Sequence, residues 1–168
     1  TRIHGDGRVE RLCEVPGGPN GIAIGPDGRV YVCNNGGAWD WMPGDVHLPG
    51  DAPPVYTGGS IQRVDLTTGE VTTLYSDCEG LPLNSPNDIV VRNDGQIYFT
   101  DSPGGMLNVG MVGYDLQKYL DIQGVYRIAN DGTLHLVTDD SVYPNGLCFS
   151  PDEKILYVSD TSNEPNGV

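Results

Sequence analysis

Basic residues are scarce in this chain: nine lysines and arginines stand against 23 aspartates and glutamates in 168 residues, a net charge of −14. A surface that acidic repels phosphate backbones and anionic headgroups, which argues against nucleic acid and membrane as partners. It attracts divalent cations, although bulk charge alone builds no metal site. Long apolar runs are missing too, and nothing approaches the ~18 consecutive residues of a membrane-spanning helix. The segment Thr1 to Gly7 carries neither an initiator Met nor a signal-peptide pattern, so the true N-terminus is expected upstream. The compartment stays open, with the cytoplasm slightly favoured. The four cysteines, Cys13, Cys33, Cys78 and Cys148, form no C-x-x-C pair, which excludes zinc-finger and thioredoxin chemistry. Cys33 and Cys148 sit in strand-like runs and are expected to be small buried thiols. His4, His47 and His135 share no spacing, so a histidine-based metal site or triad is not expected. No Gly-x-Ser-x-Gly elbow, phosphate loop, His-Glu-x-x-His helix or long amphipathic helix is present.

Glycine and proline, by contrast, are plentiful: 24 and 13 residues, about a fifth of the chain. Between them lie short apolar runs, the pattern of many strands joined by tight turns. The chain also repeats itself. Pro19-Asn20-Gly21-Ile22-Ala23-Ile24 leads through Pro26-Asp27-Gly28 into Val30-Tyr31-Val32. Pro86-Asn87-Asp88-Ile89-Val90-Val91 leads through Asn93-Asp94-Gly95 into Ile97-Tyr98-Phe99. Pro144-Asn145-Gly146-Leu147-Cys148-Phe149 leads through Pro151-Asp152-Glu153-Lys154 into Leu156-Tyr157-Val158. Each reads as a β-hairpin whose turn residues supply the backbone geometry, including positive φ, that hairpins require. Their near-continuous apolar runs predict inner strands buried on both faces. Three more polar hairpins alternate with them, at Arg2–Leu12, Arg63–Leu74 and Arg127–Val137. Their period-two pattern predicts outer strands with one solvated face.

An inner hairpin followed by an outer one is a four-stranded antiparallel blade, the unit of an all-β propeller. The inner hairpins begin 67 and 58 residues apart, longer than a WD40 period, and no Trp-Asp signature recurs in register. Residues 1–168 thus read as one partial propeller domain of about three blades, incomplete at both ends. An unclosed array leaves blade faces and strand edges open, so an internal piece of a longer propeller is expected, marginally stable alone and prone to associate through those edges. Two connections exceed what a hairpin needs. Residues 36–59 carry Trp39, Trp41, Met42 and Tyr56, and residues 102–124 carry Met106, Tyr114 and Tyr119. They read either as binding loops or as aromatic covers packed on the blades.

The Pro-Asn steps sit at the start of each inner strand, which places Asn20, Asn87 and Asn145 at the channel mouth. Converging carboxamides are neutral oxygen donors suited to a hard divalent cation once acidic ligands join them. The alternative is that each Asn makes a local Asx-turn. Asp88 breaks the Asn-Gly pattern and reads as a channel-facing acid or a salt-bridge partner. Asp101 and Asp160, at equivalent strand ends, read as caps that hydrogen-bond the blades.

These Pro-Asn hairpins resemble the gluconolactonase-like family that includes senescence marker protein (regucalcin) and luciferin-regenerating enzyme. The resemblance covers essentially the whole chain. It is carried by Gly18-Pro19-Asn20-Gly21 through Gly37, Ser85-Pro86-Asn87-Asp88-Ile89 through Asp101, and Pro144-Asn145-Gly146-Leu147 through Val158. The family is one of six-bladed propellers with one divalent metal in the channel, held by a Glu of an early Glu-Gly-Pro segment, middle-blade Asn side chains and a later Asp. The resemblance implies Asn87 and Asn145 as metal ligands and Asn20 as a channel residue near the substrate; Asp88, beside Asn87, is placed with Asn20 on the substrate side. Ca²⁺ is the first choice of ion, with Zn²⁺, Mg²⁺ or Mn²⁺ as alternatives. Glu79-Gly80-Leu81 is not the Glu motif, so the Glu is expected upstream and the Asp, with the acid/base role, downstream. The intact parent is then expected to be a metal-dependent sugar-lactone hydrolase acting on a small-molecule lactone, and the fragment alone to be inactive. Residues 36–59 and 102–124 would shape specificity. A non-catalytic propeller that binds calcium or a protein partner is the alternative. A strictosidine-synthase-like site is less favoured, because such sites rely less on paired channel amides.

Overall fold

Alternating apolar side chains and Asp-Gly turns leave each hairpin with one sticky face that must pack on its neighbour. A computed structural model of the chain shows how; it describes residues 1–37, 39–42, 46–49, 58–103, 120 and 122–162. An opening hairpin pairs β1 (Arg2–Ile3) with β2 (Val9–Glu10). The first complete blade runs β3 (Pro19–Ile24), β4 (Val30–Asn34), β7 (Ser60–Val64), β8 (Val71–Tyr75). A small hairpin, β5 (Trp39–Met42) with β6 (Val46–Pro49), is inserted between its halves. A two-residue pair, β9 (Asp77–Cys78) with β10 (Leu81–Pro82), leads to the second blade. That blade runs β11 (Ser85–Val91), β12 (Ile97–Ser102), β13 (Gly124–Ile128), β14 (Leu134–Thr138). The third inner hairpin is β15 (Pro144–Phe149) with β16 (Leu156–Asp160). All pairings are antiparallel, and the fold is a β-propeller array in the outer–inner order that the repeats predict.

The core lies between the two complete blades. Tyr31, Cys33 and Ile61 from the first meet Ile89, Ile97, Phe99, Tyr126 and Ile128 from the second, under Leu83. Phe99 and Tyr126 stack with ring centroids 5.4 Å apart. The faces alternate strictly. Tyr31 looks forward into the second blade, and its counterpart Tyr98 looks forward onto Phe149 of the third, edge to face at 5.0 Å. The other face of the first blade buries Val30, Val32 and Val64, with Cys13 and Val15 of the incoming chain against them.

Two expectations need correction. The inner strands are not all buried on both faces: Ile22 and Ile24 are 66% and 72% exposed, and Tyr157 is 55% exposed. Their counterparts Ile89 and Tyr98 face a neighbouring blade, whereas nothing among the described residues covers these. Cys148 is exposed for the same reason, pairing with Tyr157 on the outward face of the last hairpin, while Cys33 is fully buried.

The turns follow their chemistry. Gly28 and Gly95 take φ of 74° and 89°, and in the third repeat Glu153 takes 55° at the corresponding turn. The carboxylates of Asp27, Asp94, Asp131 and Asp152 each accept the N–H two residues on.

Each inner hairpin also has a cap opposite its proline. Asn34, Asp101 and Asp160 pair with Pro19, Pro86 and Pro144. Asn34 Oδ1 accepts Gly18 N–H at 2.9 Å. Asp101 accepts the N–H groups of Asn84 at 2.9 Å and Ser85 at 2.7 Å. Asp160 accepts those of Val142 at 2.8 Å and Tyr143 at 3.2 Å. These hydrogen bonds tie the incoming loop to the strand end, as the repetition of aspartates there implied.

The environment differs although the cap is shared. Burial pushes Asp101 up to about 7, against the pull of its two N–H donors. Burial also raises Asp160, but the N–H groups of Ser162, Val142 and Tyr143 outweigh it and hold that carboxyl below its usual value.

Two predictions follow from this packing. A Cβ on Gly59 would lie 2.0 Å from Pro86 Cδ and 2.9 Å from the Asn34 carbonyl. Gly59→Ala in the full-length protein should therefore cost about 1–3 kcal/mol by overpacking. An unchanged urea midpoint would show that the first two blades separate freely at this point. Asp101 binds a proton in the folded state over a range where the unfolded chain, titrating near 4, has lost it. Its contribution is thus complete below about pH 4 and is lost as pH rises through about 7. The stability difference between wild type and Asp101→Asn should shrink across that window, read from urea midpoints at several pH values; parallel curves would refute it.

Candidate functional site

An extra residue marks the start of every inner hairpin. Pro19 pairs with Asn34, and Ile22 with Val32, so three steps on one strand match two on its partner. The same slip separates Pro86 from Ile89 and Pro144 from Leu147. Each Pro-Asn step is thus a β-bulge, a device that re-aims a side chain and ends regular pairing. Asn20, Asn87 and Asn145 occupy these bulges on β3, β11 and β15. Those strands pack side by side, β11 between the other two. Asn20 is exposed, and Asn87 and Asn145 are half-buried.

The Asx-turn alternative is met elsewhere. The N–H groups two residues after Asn87 and Asn145 both go to Asp88, and the side-chain amides of Asn20, Asn87 and Asn145 hydrogen-bond no other described residue. Their oxygens keep their lone pairs. The structure therefore brings equivalent carboxamides, without hydrogen-bond partners among the described residues, to neighbouring strands. Two or three neutral oxygens suit part of a hard-cation shell, which takes about six to eight. Among the described residues no group of three or more His, Cys, Asp or Glu is arranged to hold a metal.

Asp88 stands where the other repeats have Gly21 and Gly146. Its Oδ1 accepts the N–H of Ile89 at 2.9 Å, and its Oδ2 accepts that of Leu147, on the next blade, at 3.1 Å. No salt bridge forms at Asp88 among the described residues. Gly21 permits the close approach on the other side, since a Cβ there would lie 2.5 Å from Asp88 Cα.

Residues beyond the sequence-derived set complete this region. Thr100 Oγ1 accepts the Asp88 N–H at 3.1 Å and donates to the Asn145 carbonyl at 2.7 Å. Ser102 Oγ donates to the Pro144 carbonyl. Cys33 Sγ donates to the Asp88 carbonyl at 3.4 Å across the other junction. A signal for them exists in the chain, because Cys33, Thr100 and Ser159 all immediately precede a capping residue. Each is a small side chain with a donor.

Of the two long connections, the first carries the β5–β6 hairpin, which includes Trp39, Trp41 and Met42. The second returns at buried Leu120, whose N–H donates to Asn84 Oδ1 at 3.0 Å. Tyr56, Met106, Tyr114 and Tyr119 lie outside the described residues, as does any role for them as covers.

Several known proteins are similar to this chain. A gluconolactonase of Zymomonas mobilis is 33% identical over 150 residues, 89% of this chain and 35% of that protein. The lactonohydrolase oryL of Aspergillus oryzae is 31% identical over 137 residues, 80% of this chain and 28% of that one. The chain spans about a third of the length of these curated relatives. Among solved structures, a gluconolactonase from Xanthomonas campestris superposes with a TM-score of 0.71 at 33% identity, over 96% of this chain and 47% of that one. The bulged Pro-Asn hairpins, the blade array and a family match over residues 1–165 agree: the chain belongs to the SMP-30/gluconolactonase/LRE-like family.

Proposed function

We propose that this chain supplies the paired-amide part of a channel site in a metal-dependent hydrolase of sugar lactones. The observation that carries the reading is that the amides of Asn87 and Asn145, at equivalent bulges on adjacent inner strands, hydrogen-bond no other described residue. Its background is the family match, together with similar proteins that include a gluconolactonase and a lactonohydrolase.

Asn87 and Asn145 would hold one divalent cation, Ca²⁺ first, with Zn²⁺, Mg²⁺ or Mn²⁺ as alternatives. Such an ion, when bound, supplies Lewis-acid polarisation of a carbonyl and offsets the charge of a tetrahedral intermediate. The residues of this chain suit that task because neutral amides hold a cation without cancelling its charge. Asn20, exposed on β3, is the amide nearest solvent and is assigned to the substrate side. Both oxygens of Asp88 already accept backbone N–H groups, so it is better placed to hold the blades than to bind substrate. The remaining donors and the general base are assigned to carboxylates outside the described residues. No helix among the described residues is long and apolar enough to cross a membrane.

The test uses the full-length protein, stripped by chelator and reloaded with each cation, with hydrolysis of an aldono-1,5-lactone followed by acid release. Asn87→Ala and Asn145→Ala should each lower turnover about a hundredfold, the share of a barrier of several kcal/mol that a Lewis acid supplies. Both should also weaken cation binding. Cation binding without hydrolysis in the wild type would favour a non-catalytic calcium-binding propeller, and activity indifferent to both substitutions would remove the amides from the site.

A further inference from the structure

The bulges place two amides on different blades, and two blades are separate sheets. Nothing in the ladder of either sheet fixes the distance from Asn87 to Asn145. What crosses the junction is a short set of side-chain bonds. Thr100, on β12 of the second blade, accepts from the backbone N–H of Asp88, the residue after Asn87, at 3.1 Å. The same hydroxyl donates to the carbonyl of Asn145 itself at 2.7 Å. Asp88 then reaches over with Oδ2 to the N–H of Leu147, two residues past Asn145, at 3.1 Å, while Oδ1 is held by Ile89 N–H at 2.9 Å. Both contacts hold the main chain on the C-terminal side of Asn145, and both originate next to Asn87; on the other side Ser102 Oγ donates to the Pro144 carbonyl.

The chemistry matches the geometry. A threonine hydroxyl is one donor and an acceptor, so a single atom satisfies one backbone group from each blade. A carboxylate accepts at two oxygens at once, and its charge shortens and strengthens bonds to N–H groups. The other junction lacks this arrangement. There Gly21 occupies the position of Asp88 and has no side chain to reach across, and the donor is the thiol of Cys33, a weak hydrogen-bonding group, at 3.4 Å. The carboxylate and the hydroxyl occur together only at the junction between Asn87 and Asn145, among the described residues.

We propose that Thr100 and Asp88 are positioning residues that lock Asn87 and Asn145 at one spacing, so that the two amides act as a preformed pair. The inference rests on the reading of those amides as cation ligands. Outer partners that orient a ligand typically matter about 10- to 100-fold in metal affinity. Thr100→Val keeps shape and packing but has neither donor nor acceptor. Thr100→Ser restores both.

The experiment is calorimetric titration of the chelator-stripped full-length protein with Ca²⁺, beside urea unfolding of the same apo proteins. The control is Phe149→Leu, which loosens the same two blades at the opposite end of β15, where Phe149 meets Tyr98. Thr100→Val should weaken Ca²⁺ binding about tenfold, Thr100→Ser should return it to within about threefold of wild type, and Asp88→Asn should weaken it in the same direction as Thr100→Val. Phe149→Leu should lower the urea midpoint and leave Ca²⁺ affinity unchanged. If Phe149→Leu weakens Ca²⁺ as much as Thr100→Val does, the effect is general blade stability and the proposal falls. It falls equally if Thr100→Val binds like wild type. A wild-type protein that binds none of Ca²⁺, Mg²⁺, Mn²⁺ or Zn²⁺ overturns the cation reading itself, which separates that failure from this one.

Discussion

The close approach of neighbouring innermost strands at their bulges governs the rest of this structure. At Gly21 the backbone of one blade lies against Asn87 and Asp88 of the next so tightly that a single methyl would meet main-chain atoms at 2.5 Å and 2.6 Å. Sheets normally pack through side chains about 10 Å apart. At their inner ends the first two blades instead meet backbone to backbone, and Gly21 allows it. That contact joins the bulges of the first and second blades; at the next junction, where Asp88 replaces Gly21, side chains bridge instead, and one hydroxyl, Thr100, serves two sheets.

The approach creates a problem of hydrogen-bond accounting that the caps solve. A bulge interrupts the ladder and leaves N–H groups of the incoming loop without strand partners, and buried backbone groups without partners are costly. Asn34, Asp101 and Asp160 meet that demand at equivalent positions with different chemistry. The amide of Asn34 also donates, to the Pro16 carbonyl and to Gln62. Asp101, fully buried, carries a carboxyl whose proton affinity is raised, while at Asp160, in the last described hairpin, N–H donors hold the carboxyl below its usual value. Position in the array, more than residue type, sets the electrostatics of each cap.

Exposure along the array obeys the same logic. Residues of one face always look toward the preceding blade and residues of the other toward the following one. Ile89 and Tyr98 are therefore covered on opposite sides, while Ile22 and Tyr157 stand open. The faces of the terminal hairpins have the composition of interior strands, so their exposure reflects what lies beside them and not a different local code.

Much of this was legible in the chain. Alternation, Asp-Gly turns and the recurrence of Pro-Asn determine hairpins, their order as outer and inner halves, and the equivalence of Asn20, Asn87 and Asn145, because these depend on residues within a few positions of one another. The sequence also marks Asp101 and Asp160 as strand-end caps through simple repetition. It leaves open whether the asparagines close local turns, it misreads Cys148 as buried, and it does not show that both oxygens of Asp88 accept backbone N–H groups. Those questions turn on which groups from other blades stand nearby. Asp88 meets Leu147, and Thr100 meets Asn145, across separations of 59 and 45 residues. Hydrogen bonds of that reach form only after the sheets have packed. Local propensity therefore settles the blades, and tertiary packing decides which of their polar groups are spent on holding one another and which remain free to meet a ligand.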